Sequence, residues 1–103
     1  MFNNSTNHSW GYKEDFCCCK EIIENYVIKR YEAITPETIA NDVKKQYSDL
    51  KISSIIMRFQ NIKYLLERNN IPNTLKIKSL EHYANQTEQA FVDACKQYGI
   101  ITR

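Results

Sequence analysis

The chain reads as an all-α protein, a single four-helix domain containing a helix-turn-helix-like, tri-helical unit. Three observations carry that reading. Gly and Pro number two each in 103 residues, which leaves few tight turns and favours long helices. Apolar residues recur at helical spacing in four separate stretches. Thr35-Pro36 is a clear helix start, a hydroxyl to cap an unpaired amide followed by a proline where no amide donor is needed. A chain of this length builds one core and does not require metal or disulfides to fold.

Residues 1–9 (Met1-Phe2-Asn3-Asn4-Ser5-Thr6-Asn7-His8-Ser9) are polar and are expected to form a flexible N-terminal segment ahead of a helical domain over 10–103. They lack the basic start and apolar core of a signal peptide, and no stretch is long and apolar enough to span a membrane, so a cytoplasmic protein is expected. Spacing predicts a first helix over 13–31, with Glu14 and Asp15 at its positive end and Phe16, Cys19, Ile23, Tyr26 and Val27 on its packed face. The second helix, 36–46, starts on Thr35, and Ile34 and Ile39 are spaced as a hydrophobic staple. Residues 47–51 form the turn, with Leu50 tucked inward.

A third helix, 53–68, is expected to cap on Ser53. Ile52, Ile55, Ile56, Phe59, Ile62 and Leu66 fall on one side, and Ser54, Met57, Asn61 and Tyr64 fall opposite, flanked by Arg58. Asn69 to Thr74 is a breaker segment. Leu75-Lys76-Ile77-Lys78 alternates, as an extended arm or a short strand would. The last helix is expected over 79–98, with Leu80, Tyr83, Ala84, Thr87, Phe91, Ala94 and Tyr98 on one stripe and Gly99 as its C-cap.

Catalytic and metal chemistry finds little material here. Cys17, Cys18 and Cys19 are consecutive, so on a helix they fan across about 200° and cannot converge on one tetrahedral zinc. Cys95, His8 and His82 stand at no ligand spacing. A small buried hydrophobe is the expected role of Cys19, with Cys17 or Cys18 exposed. Phosphate loops, nucleophile elbows and Ser-His or Cys-His constellations are all missing from the sequence. The expectation is a protein that is not an enzyme and uses no metal or cofactor.

The charge pattern is more informative. Net charge is +2, but between Lys44 and Lys78 the bases Lys44, Lys45, Lys51, Arg58, Lys63, Arg68, Lys76 and Lys78 face only Asp49 and Glu67. Such asymmetry focuses positive potential and suits a polyanion. In a helix-turn-helix the second helix enters the major groove. Here Lys51, Ser53, Ser54, Met57, Arg58 and Asn61 would reach it, with Arg suited to guanine and Asn to adenine. Lys44, Lys45, Lys63 and Arg68 would contact phosphates, and Tyr64 lies on the same exposed side. The competing reading is an ordinary amphipathic helix whose polar side faces water. The turn is also longer than that of the tight motif, which fits a looser Myb-like or tri-helical arrangement.

Trp10 followed by Lys13-Glu14-Asp15-Phe16 resembles the opening Trp and acidic cluster of Myb-like helices. Ile39-Ala40, then Lys51-Ile52-Ser53-Ser54-Ile55, then Arg58-Phe59-Gln60-Asn61-Ile62-Lys63-Tyr64-Leu65 resembles a small helical module in the N-terminal region of some HNH-type restriction endonucleases and mobile-element proteins. The resemblance spans about Trp10 to Tyr98. It implies DNA binding through the helix carrying Ser54, Arg58 and Asn61, and no nuclease activity, because the catalytic domain of those proteins is absent.

Two functions are therefore expected. The leading one is a DNA-binding module, a regulator or targeting subunit, with duplex DNA as partner and a possible homodimer formed through the last helix by Tyr83, Phe91 and Tyr98. The alternative is a small phage-type anti-defence inhibitor or adaptor that binds a nuclease or another protein, using exposed Tyr12, Tyr64 and Tyr83.

Overall fold

The computed structural model describes residues 10–103; the segment expected to be flexible, 1–9, lies outside the described residues. Four α-helices form the domain. Helix α1 is Tyr12–Ile22 and widens into a π-helical stretch, Ile23–Ile28; α2 is Pro36–Gln46, α3 is Ile52–Arg68 and α4 is Ala84–Gln97. Among the described residues there is no strand, and the all-α class holds. None of these helices is long and apolar enough to cross a membrane.

The most extensive helix packing is α1 against α4. It follows from side-chain size: Cys18 and Cys19 on α1 and Ala90, Ala94 and Cys95 on α4 are all buried, and small residues let two helices approach closely. Cys18 was a candidate for exposure; it is fully buried, and Cys17 is the partly exposed thiol. Helix α3 fills the centre with Ile55, Phe59, Ile62, Leu65 and Leu66, all 0 % exposed, against Ile39, Ala40 and Val43 of α2. Phe16, expected on the packed face of α1, is only partly buried against the core, as is Trp10.

Helix boundaries follow local chemistry where a local signal exists. Thr35 caps α2, its Oγ1 accepting from the Thr38 amide at 3.3 Å, with Pro36 in the first position. Both α3 and α4 end with a left-handed residue, Asn70 (φ 56°) and Gly99 (φ 70°). The next amides, Ile71 and Ile100, then turn back to the Leu66 and Cys95 carbonyls at 2.9 Å, closing the helix ends as Schellman motifs.

Helix α1 starts one residue earlier than expected, at Tyr12, and the starts of α3 and α4 also differ from the sequence expectation. Helix α3 begins at Ile52 on Lys51 rather than on Ser53, because the turn is closed from outside the helix. Leu50 N–H donates to the Tyr47 carbonyl at 3.0 Å, and Lys44 Nζ donates to the Ser48 and Leu50 carbonyls. Helix α4 begins at Ala84 rather than Ser79. Asn61 Nδ2 donates to the carbonyls of Leu80 and His82, each at 2.8 Å, and the Leu80 amide donates to the Gln60 carbonyl at 3.1 Å. Backbone groups that a helix from Ser79 would use are thereby committed to α3. Of the two forms expected for the Leu75–Lys78 stretch, the strand is not formed. The stretch belongs to a return segment tied along α3, with Leu75 buried and its carbonyl accepting from Lys63 Nζ at 2.8 Å.

Phe59→Ala should lower unfolding stability in urea by about 3–5 kcal/mol, because a fully buried ring is replaced by a cavity. Met57→Ala, two positions away but 46 % exposed, should stay within about 0.5 kcal/mol of wild type.

Candidate binding groove between the third and fourth helices

The part of α3's polar side that carries Arg58 and Asn61 is an internal surface. Arg58 Nε stands 2.9 Å from Asp15 Oδ1, with the two side chains only 11 % and 7 % exposed. Neither atom has an aligned hydrogen bond, so this contact is a charge pair with bent geometry. Arg58 Nη1 donates to Thr87 Oγ1 at 2.7 Å and to Asn61 Oδ1 at 3.1 Å, and the Trp10 ring lies 5.2 Å from the guanidinium carbon. One arginine thus ties α1, α3 and α4 together. Asn61, 1 % exposed, passes the connection on to Leu80 and His82.

Burial pushes the Asp15 carboxyl up to about 6; Arg58 opposes the shift and Glu14 adds to it. At neutral pH the carboxyl is ionised and paired. A buried cation facing a buried anion costs little only while both are present.

The residues expected to read DNA divide into two groups. Arg58 and Asn61, expected to reach a major groove, turn inward and are bonded inside the protein. The apolar stripe of α3 faces the α2 side and the core, and on the opposite side Arg58 and Asn61 are covered while Met57 stays exposed. Lys63 Nζ donates to Asn73 Oδ1 as well as Leu75 O, both at 2.8 Å, and Lys44 closes the interhelical turn. Lys45 pairs with Asp42 at 3.6 Å and Arg68 with Glu88, while Tyr64 lies beneath Arg68, 5.8 Å from ring centre to guanidinium. The expected basic field is therefore partly cancelled by Asp15, Asp42 and Glu88. Lys51, Ser53 and Met57 are exposed and Ser54 is half-buried.

Ser54 and Met57 do come together with a site that the sequence did not reveal. They line an open cavity of about 300 Å³ with Trp10, Arg58, Asn61, Tyr83 and Gln86. A second hollow of about 170 Å³ shares Trp10, Arg58 and Gln86 and reaches Asp15. Tyr83, expected within the last helix and named among the exposed tyrosines of the protein-binding alternative, is 48 % exposed and sits just outside that helix at φ 72°. Left-handed backbone at a bulky residue is strained, so the Asn61 grip on His82 holds this ring in a position the local chain would not choose. No local signal marks Tyr83 for this role, because the residue that fixes it lies on another helix. The expected homodimer face loses Phe91 to the core, and Tyr98 donates to Glu24 Oε1 at 3.0 Å.

Comparison with protein-family models, curated proteins and solved structures gives no significant match to this chain. Among the described residues no group of His, Cys, Asp and Glu side chains is arranged to hold a metal ion.

Arg58→Met leaves Asp15 buried without a cation. Removing the group that lowers the Asp15 pKa carries the native value further above its ordinary 3.8. The native state then holds a proton to higher pH than the unfolded chain does, and the variant's stability falls as pH rises. The variant should lose about 3–5 kcal/mol relative to wild type at pH 8 and clearly less at pH 5, as denaturant titrations at the two pH values would show.

Proposed function

We propose that this chain is a protein-interaction module of the adaptor or inhibitor kind, which takes a segment of another protein into the groove between Trp10, Met57 and Tyr83. The observation that carries the reading is the gathering of three large apolar side chains around one open cavity instead of in the core. Aromatic anchors that border a pocket are the usual centre of protein recognition surfaces. Backbone strain at Tyr83 adds support, since strained residues persist where surrounding structure holds them and concentrate at functional sites.

Duplex DNA is the rival partner, favoured by one observation: Lys51, Ser53 and Met57 remain exposed at the N-terminal half of α3. Against it, Arg58 and Asn61, the residues best able to read bases, are engaged inside the protein. Exposed Lys51 and Ser53 alone suit phosphate contact without sequence reading.

Peptides selected from a random library on the wild-type protein should bind with a change in fluorescence of Trp10, the sole tryptophan. Met57→Lys should weaken them at least tenfold. Tyr83→Gly should also abolish binding, yet raise stability by about 0.5–1 kcal/mol because glycine accepts the left-handed backbone without strain. Failure to select any Met57-sensitive peptide, together with salt-dependent binding of random duplex DNA, would replace this reading with the DNA one.

A further inference from the structure

The larger cavity has a charged floor whose donor capacity is not used up. Arg58 Nε stands beside Asp15 as a charge contact without an aligned hydrogen bond, Nη1 donates to Thr87 and Asn61, and Nη2 donates to nothing among the described residues. The indole of Trp10 covers the guanidinium, and Met57 and Tyr83 give the cavity apolar walls. A planar cation with an idle N–H beside an apolar space is suited to a carboxylate carried on an apolar body. At about 300 Å³ the space lies at the small end of ligand sites, so the anion and the apolar body must belong to one residue. An internal Asp or Glu brings the anion without the body, and an internal Phe or Leu brings the body without the anion. Among the unmodified residues of a polypeptide, only a chain end carries both.

We propose that this cavity receives the C-terminal residue of a partner chain, its apolar side chain between Trp10, Met57 and Tyr83 and its α-carboxylate bonded by Arg58. The proposal rests on the protein-interaction reading and names the part of the partner that is held. Asp15 is the internal competitor for the same guanidinium. Of the charged groups around its carboxyl, Glu14 is on its own helix and Arg58 comes from α3. From α4 the network receives the uncharged Thr87, and the nearby Asp93 is bonded to Tyr12. Because burial raises the Asp15 carboxyl to about 6, mild acid neutralises the competitor. A chain-end carboxylate, with an ordinary pKa of about 3.5, stays charged. Affinity for a free C-terminus should therefore rise as pH falls through 6.

The test is a Trp10 fluorescence titration of the full chain with an acetylated Ser-Gly-Ser-Phe peptide, as free acid and as C-terminal amide, at pH 5.5 and 7.5. The free acid should bind at least tenfold tighter than the amide at pH 5.5, and the preference should shrink at pH 7.5. Asp15→Asn should retain the acid preference and remove its pH dependence, while His82→Gln, which removes the exposed imidazole tilted against the Tyr83 ring, should leave that dependence in place. Equal binding of acid and amide at pH 5.5, or binding of neither, overturns the chain-end proposal. In those cases the interaction reading still stands if library-selected internal peptides bind and are lost in Met57→Lys, and falls with the proposal if they are not.

Discussion

The structure depends on one buried polar junction. Arg58 and Asn61, one turn apart on α3, hold Asp15 of α1, Thr87 of α4 and the carbonyls of Leu80 and His82. Hydrogen bonds of this kind add only modest net stability each, but a group left without its partner in the interior costs far more. The junction therefore acts mainly by exclusion. Any arrangement that separates α1, α3 and α4 strands a guanidinium, a carboxylate or an amide away from water. Apolar packing around Phe59 supplies the bulk of the cohesion, and the polar junction selects which packing is adopted.

The same junction shapes the surface. By taking the Leu80 and His82 carbonyls, Asn61 delays the start of α4 and leaves Tyr83 outside it in left-handed backbone. By drawing Trp10 over its guanidinium, Arg58 places an indole at the opposite side of the resulting opening. The groove is thus a by-product of how the interior is satisfied, and its aromatic rim stands on rigid supports. A partner meeting pre-placed rings loses little side-chain freedom on binding, which favours affinity from a small area.

The fold was largely legible in the sequence because its decisive signals are local. Thr35-Pro36 starts α2, Gly99 ends α4, and the spacing of Ile55, Phe59, Ile62 and Leu66 gives the buried side of α3. The groove was not legible, for a physical reason. Helical projection separates apolar from polar residues, and it assigns polar ones to water. Arg58, Asn61 and Lys63 are polar and covered, each satisfied by residues distant in sequence: Asp15 and Thr87, Leu80 and His82, Asn73 and Leu75. A polar side chain that hydrogen-bonds a passing segment looks, in one dimension, the same as one that awaits a ligand. The π-helical widening over Ile23–Ile28 escaped for the same reason, since the Tyr26 carbonyl is held by the Thr74 amide at 2.9 Å.

Hydrogen exchange at the junction separates an internal polar side of α3 from one that faces water. Nuclear magnetic resonance can follow the Asn61 side-chain amide and the Leu80 backbone amide, which donate to Leu80, His82 and Gln60 carbonyls. Both should exchange only through large opening events, with protection close to that of the Phe59 amide in the core. Rapid exchange at Asn61 and Leu80 beside a well-protected Phe59 would show that the polar side of α3 faces water, and would return it to the role of an exposed recognition surface.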